Sequence, residues 1–225
     1  YVRAGHEYGL EVWGLISDFS YDEEKGTYYV NEVLSSTSTR RKLIDNLIDE
    51  AIAVGLDGIN IDFECVSSSN GEDYVQFIRE LSLKCRQNEI LLSVDTPIPS
   101  QYSTQYNRKE LGKVADYVII MGYDEHHKNS LESGPVASLS FVENGIKSAL
   151  KVVPEDKLIN AVPFYTRLWF TETLADGTYD WVWAFVRKHN IRIHEMQDIE
   201  RTIQLYNEKY LKEIYKKFNL EINVS

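Results

Sequence analysis

Strand-length apolar runs and amphipathic helical stretches take turns along this chain, and that alternation excludes most architectures before any residue is considered for chemistry. The runs are LEVWGLI (10–16), LDGINIDFECV (56–66), EILLSVDTPI (89–98), DYVIIMGYDEH (116–126) and KLINAVPFYTRLW (157–169). Helical periodicity occupies 37–55, 71–88, 107–115 and 140–153; the first of these carries a Ser38 or Thr39 cap and an apolar face of Leu43, Ile44, Leu47, Ile48 and Ala51. Helices that return the chain between strands predict βαβ units, a parallel sheet and right-handed crossovers. EILLSVDTPI, nearly all apolar, reads as a strand buried on both faces. After residue 170 the pattern loosens: about 170–197 reads as an insertion, 198–220 as a long helix and EINVS as a last weak strand. No low-complexity linker or internal repeat marks a boundary, so 1–225 is expected to be a single domain.

Composition narrows the function. A chain of 225 residues, 43% hydrophobic, can bury a substantial core. Its formal net charge of -11, with scattered lysines and arginines, disfavours nucleic acid and anionic membranes as partners. No apolar run is long enough to span a bilayer, and no charged and apolar leader opens the sequence. Cys65 and Cys85 are too few for a disulfide framework and lack metal-site spacing, so both read as free thiols.

An open nucleotide-binding sheet would carry a glycine-rich turn after its first strand, and neither G-x-G-x-x-G nor a P-loop occurs. Polar groups instead collect at strand C-terminal ends: Asp62 with Glu64, Asp95, Tyr123 with Asp124, and Tyr165 with Arg167. A (β/α)8 TIM-type barrel gathers such ends at one mouth and is the expected α/β fold, with fewer strands visible than the eight it requires. In LDGINIDFECV the strand period turns Ile59, Ile61 and Phe63 toward the helices and Asn60, Asp62 and Glu64 inward. Crowded inward carboxylates repel one another and lose water, which raises at least one pKa toward the range of a general acid. Glu64, highest on the strand, is the candidate donor and Asp62 its partner.

DGINIDFE resembles the D-x-x-D-x-D-x-E signature of glycoside hydrolase family 18, the chitinase family, and MGYDEHH, SGPVASLSFVENGI and PFYTRLW follow in family order. Within it the chain is most similar to the bacterial branch of spore-cortex-lytic N-acetylglucosaminidases and cell-envelope glycosidases. The resemblance implies a retaining, substrate-assisted hydrolysis of β-linked N-acetylglucosamine glycans, of peptidoglycan or chitin type, with no cofactor and no metal. It implies Glu64 as general acid, Asp62 orienting the 2-acetamido group and Tyr123 contacting its carbonyl. Asp57 and Asn60 would support the ladder, Asp124 would bind sugar, and Tyr165 and Arg167 would line the same mouth. An extracellular, envelope or spore setting is implied as well.

Departures from the pattern shape further expectations. Asn60 stands where the signature has its middle aspartate. The chain opens at what resembles the helix before the third strand, so the expected barrel lacks its first strands. EINVS has no tryptophan for the floor of a sugar site; Trp169, Trp181 and Trp183 read mainly as packing residues. His126 and His127 read as a rim loop more readily than a metal site, and His189 and His194 as surface residues. Cys65 alternates to the face opposite Glu64, which argues against a nucleophile. The alternative function is a barrel of the same family that binds such glycans without cleaving them.

Overall fold

The computed structural model describes residues 1–127, 130, 133–165, 167, 171–173 and 179–181. The elements in chain order are α1 (Val2–Glu7), β1 (Trp13–Ser17), β2 (Tyr21–Asp22), β3 (Thr27–Tyr28), α2 (Tyr29–Ser35), α3 (Thr37–Val54), β4 (Gly58–Asp62), α4 (Gly71–Gln87), β5 (Leu91–Pro97), α5 (Arg108–Val114), β6 (Tyr117–Met121), α6 (Leu139–Ala149), β7 (Leu158–Ala161), β8 (Thr171–Thr173) and β9 (Tyr179–Trp181). The described residues fall into two compact units. One comprises 1–123 and 139–162; the other comprises the described residues of 124–138 and those from Pro163 on.

The first unit holds a five-stranded sheet in the order β1-β4-β5-β6-β7, every neighbouring pair parallel. Each sheet strand therefore lies beside the next one in sequence. That is the steady progression of a (β/α) barrel, without the reversal of strand order found in a doubly wound sheet. The register Gly14↔Ile59, Ile59↔Leu92 and Val94↔Val118 carries one apolar layer across the sheet. Ile59, Ile61 and Phe63 of the β4 segment, Leu92 and Val94 of β5 and Val118 of β6 are buried in one cluster with Ile44, Ile48 and Ala51 of α3 and Phe77, Ile78 and Leu81 of α4.

The helical period of α3 places Ile44, Ile48 and Ala51 inward, with Leu43 and Leu47 packed at the margin. Its cap differs from expectation. Ser36 is the N-cap, because α2 ends at Ser35 and one extended residue suffices for the turn; Ser38 and Thr39 lie in the first helical turn. The Thr39 hydroxyl donates back to the carbonyls of Val33 and Ser36. At the other end Gly55 adopts φ 78°, a left-handed C-cap that a β-carbon would strain.

The β2–β3 hairpin and α2 carry little periodicity and are not apparent from the sequence. Asp22 makes the turn by accepting the backbone N–H groups of Glu24 and Lys25, and Tyr21 and Tyr28 meet edge to face at 4.9 Å. β5 is covered on both faces as read, with Leu92 and Val94 buried on one side and Ser93 on the other, but one of those faces is not apolar. Ser93 and Asp95 interrupt the apolar run and share the side of the sheet that carries Asn60, so that side of β5 is polar. In the second unit β8 and β9 form an antiparallel pair within the segment read as an insertion. Trp169, Trp183, His189, His194, the 198–220 helix and EINVS lie outside the described residues.

Candidate functional site

β4 ends at Asp62, so Phe63 and Glu64 begin the loop at the strand's C-terminal end. The expected alternation persists through them: Ile59, Ile61 and Phe63 are buried, Asn60 and Asp62 are half-buried, and Glu64 is exposed. The Asn60 side-chain amide donates to the Ser93 hydroxyl at 2.8 Å and to Asp95 Oδ1 at 3.1 Å, bridging β4 to β5. Burial pushes the Asp95 carboxyl up to about 6, against the Asn60 hydrogen bond and with help from the charge of Asp62. Asp62 is raised as well, chiefly by burial and then by Asp18, and its Oδ1 is buried without a hydrogen-bond partner. An oxygen in that state is poised to take a donor.

Side chains from outside β4 hold the loop that carries Glu64. Asp18, directly after β1, accepts the Glu64 N–H on Oδ1 and the Cys65 N–H on Oδ2, both at 2.9 Å. The Tyr106 hydroxyl donates to the Phe63 carbonyl at 2.7 Å, and the Gln105 amide to the Val66 carbonyl at 3.2 Å. Asn31, on α2, donates to the Cys65 carbonyl and accepts the Ser67 N–H. Burial raises the Cys65 thiol to about 11, so a thiolate is disfavoured there.

Asp57 sits at the opposite end of β4, just before the strand. Its Oδ2 accepts the Val12 N–H at 2.6 Å and meets His6 Nε2 at 2.8 Å, and these partners hold its carboxyl below the usual range. Its support therefore reaches the foot of β1 and the end of α1. Tyr123 lies two residues past β6 and is half-buried.

The second unit groups three further candidates. Asp124, at φ 61°, accepts from the Tyr165 hydroxyl and from Arg167 Nη2 on the same oxygen, each at 2.5 Å. The Arg167 guanidinium lies 5.3 Å from the centre of the Tyr165 ring, a cation–π contact. His126 in this unit pairs through Nδ1 with the Pro135 carbonyl at 3.0 Å, as a loop residue does.

The profile of the family described as Glycosyl hydrolases family 18 matches residues 22–219. The chain belongs to this family. Among curated relatives, the uncharacterized glycosylase YvbX of Bacillus subtilis is 30% identical over 169 residues, which are 71% of this chain and 48% of that protein. The cortical fragment-lytic enzyme of Bacillus subtilis is 25% identical over 168 residues, 71% of this chain and 37% of that protein. The solved structure of a chitinase from Chromobacterium violaceum matches with a TM-score of 0.66 at 25% identity, over 84% of this chain and 60% of the other. The chain thus spans less than half the length of these two curated relatives.

Within the family 18 stretch Asp57–Glu64, the structure brings Asn60 and Asp62 onto one face with Asp95, puts Glu64 above them in the loop, and sends Asp57 to the far end. Sequence reading overlooked Asp18, Asn31 and Tyr106. Asp18, just past the run LEVWGLI, is visible as a strand-end acid, but its bonds to the Glu64 and Cys65 backbone are not. Asn31 and Tyr106 act through the backbone of a distant loop and leave no periodic trace.

Proposed function

We propose that this chain carries the catalytic strand of a retaining glycosidase that cleaves β-linked N-acetylglucosamine glycans with help from the substrate's own acetamido group. The observation that carries this reading is the end of β4: a half-buried Asp62 with a raised pKa and an unpartnered oxygen, two residues before a Glu64 exposed at the strand end. Family membership supports a glycosidase, and a substrate-assisted course, which needs no protein nucleophile, fits a single exposed acid beside a buried acceptor.

In this reading the Glu64 carboxylic acid donates its proton to the glycosidic oxygen as the bond to the anomeric carbon breaks. The acetamido carbonyl oxygen attacks that carbon from the opposite side and forms an oxazolinium ring. Asp62 accepts the acetamido N–H on its open oxygen, which both orients the carbonyl and stabilises the positive charge of the ring. Glu64, now a carboxylate, takes a proton from water, which opens the ring with retention. Tyr123 is assigned to the acetamido carbonyl, and Asp124, Tyr165 and Arg167 to sugar hydroxyls. No metal or organic cofactor enters these steps. The kinship to a cortical fragment-lytic enzyme and to chitinases favours a peptidoglycan or chitin-type substrate, with an envelope, spore or extracellular setting.

Release of fluorophore from a methylumbelliferyl chitooligosaccharide, beside digestion of purified peptidoglycan, tests the reading. Glu64→Gln should lower kcat by about 10²–10⁴-fold, the usual share of general acid–base catalysis, while oligosaccharide binding survives. Binding by the parent with no turnover on either substrate would make it a glycan-binding member instead.

A further inference from the structure

We propose that Asp18 is a positioning residue for the general acid: its two carboxylate oxygens hold the successive N–H groups of Glu64 and Cys65 and thereby fix the direction in which the Glu64 side chain leaves the loop. The inference rests on the reading of Glu64 as the proton donor. Its geometry is independent of that reading.

The two N–H groups accepted at 2.9 Å belong to consecutive residues, so the clamp fixes both peptide planes that flank the Glu64 α-carbon. With those planes set, only side-chain torsions remain to Glu64. Asp18 is itself buried, 7% exposed, and it directly follows β1, the strand paired with β4 through Ser17↔Asp62. The clamp therefore couples the acid to the sheet instead of leaving it to the loop. Tyr106, Gln105 and Asn31 hold carbonyls and the Ser67 N–H of the same segment, yet none of them contacts the Glu64 peptide N–H.

Asp18 also places a carboxyl beside the reacting acids. The titratable groups that sense it are Asp62 of β4, Cys65 of the loop, Tyr28 of β3, Tyr74 of α4 and Tyr106 ahead of α5. Of these, Asp62 belongs to the proposed machinery, and removing a neighbouring negative charge lowers an acid's pKa. Asp62 must be ionised to accept the acetamido N–H, so the acid limb of the rate profile should move to lower pH when Asp18 loses its charge.

The test compares Asp18→Asn and Asp18→Ala in the intact protein. Asparagine keeps the shape and one acceptor but turns a donor toward the second N–H; alanine removes both acceptors. Amide hydrogen exchange at Glu64 and Cys65 should quicken in both variants, more in Asp18→Ala. On the chitooligosaccharide kcat should fall by about 10–100-fold, the scale of a small misplacement, with KM changed by less than about threefold. The acid limb should shift to lower pH in both. Unchanged exchange at Glu64 and Cys65 in a folded Asp18→Asn protein would overturn the clamp, as would unchanged kcat and pH profile. If the parent cleaves no N-acetylglucosamine glycan, the glycosidase reading fails, and exchange still decides the clamp. Should Asp18→Ala not fold, the near-isosteric Asp18→Asn carries the comparison alone.

Discussion

Asn60 explains how Asp62 and Asp95 can share this face of the sheet. Its amide is a donor placed between two acceptors, Ser93 and Asp95, and its hydrogen bond to Asp95 opposes the burial that, even so, lifts that carboxyl to about 6. A carboxylate at position 60 would replace that donor with a third negative charge, and one of the acids would have to hold a proton. Asn60→Asp restores the family's acidic signature, and it should lower stability by about 1–3 kcal/mol near pH 7.5, the usual cost of leaving a buried polar partner unsatisfied. The sign follows from linkage. Acids whose folded pKa is raised stabilise the fold while protonated, and they lose that contribution as pH rises past their ordinary range through the raised value. The penalty should therefore shrink toward pH 4. Urea unfolding of both proteins at pH 4 and pH 7.5 reads this directly, and an equal loss at both would mean that Asn60 acts through shape and not charge.

Between elements, the decisive structure is the pair of loops that follow β4 and β5. Arg108, the first residue of α5, is buried and donates to the Pro97, Ser103 and Tyr106 carbonyls and to the hydroxyls of Thr96 and Ser103. It holds the loop that presents Tyr106 and Gln105 to the backbone of Phe63 and Val66. Desolvation lowers its pKa to about 10, so it remains charged at neutral pH and strengthens those bonds. Arg108→Ala should destabilise by about 3 kcal/mol, the loss of several charge-assisted hydrogen bonds, and lower Tm by roughly 6–12 °C. A calorimetric shift of under about 2 °C would show that water replaces the side chain easily. Much of this scale was legible beforehand. The five sheet strands and helices α3, α4, α5 and α6 follow from period and length, and the Asn60–Asp62–Glu64 ladder from strand alternation. The bracing was not legible, since Asp18–Glu64, Asn31–Cys65 and Tyr106–Phe63 join a side chain to a backbone group, and backbone groups carry no sequence signature. The β2–β3 hairpin escaped for a similar reason: strands of two residues have no period to detect.

At the scale of the whole molecule, two sets of acids pull stability in opposite directions with pH. Asp57, held by the Val12 N–H and His6, and Asp22, held chiefly by the Lys25 N–H, have lowered pKa values; so do Glu110, beside Lys113 and Arg79, and Glu143, beside Lys147. Their stabilisation is present above the ordinary carboxylate range and is lost as pH falls through the lowered values. Asp18, Asp62 and Asp95 have values raised chiefly by burial, so their contribution is complete only below that range and disappears as pH rises, for Asp95 through about 6. Asp22 of the lowered set is itself buried, but Asp57, Glu110 and Glu143 keep solvent contact that screens their pairing, whereas Asp18, Asp62 and Asp95 crowd together at the partly buried end of the sheet, so the raised set should dominate. A formal net charge of -11 at pH 7 adds self-repulsion in the same direction. Stability should accordingly peak near pH 5, with Tm higher there than at pH 7.5 by roughly 4 °C or more. Asp95→Asn removes the group with the largest of the three raised values, so its Tm should decline less between pH 5 and pH 7.5 than the parent's. Thermal scans of the two proteins at constant ionic strength decide the matter. A parent Tm that climbs steadily to pH 7.5 would mean that the buried acids find compensation on binding water or sugar, and that desolvation at the end of β4 does not govern their protonation.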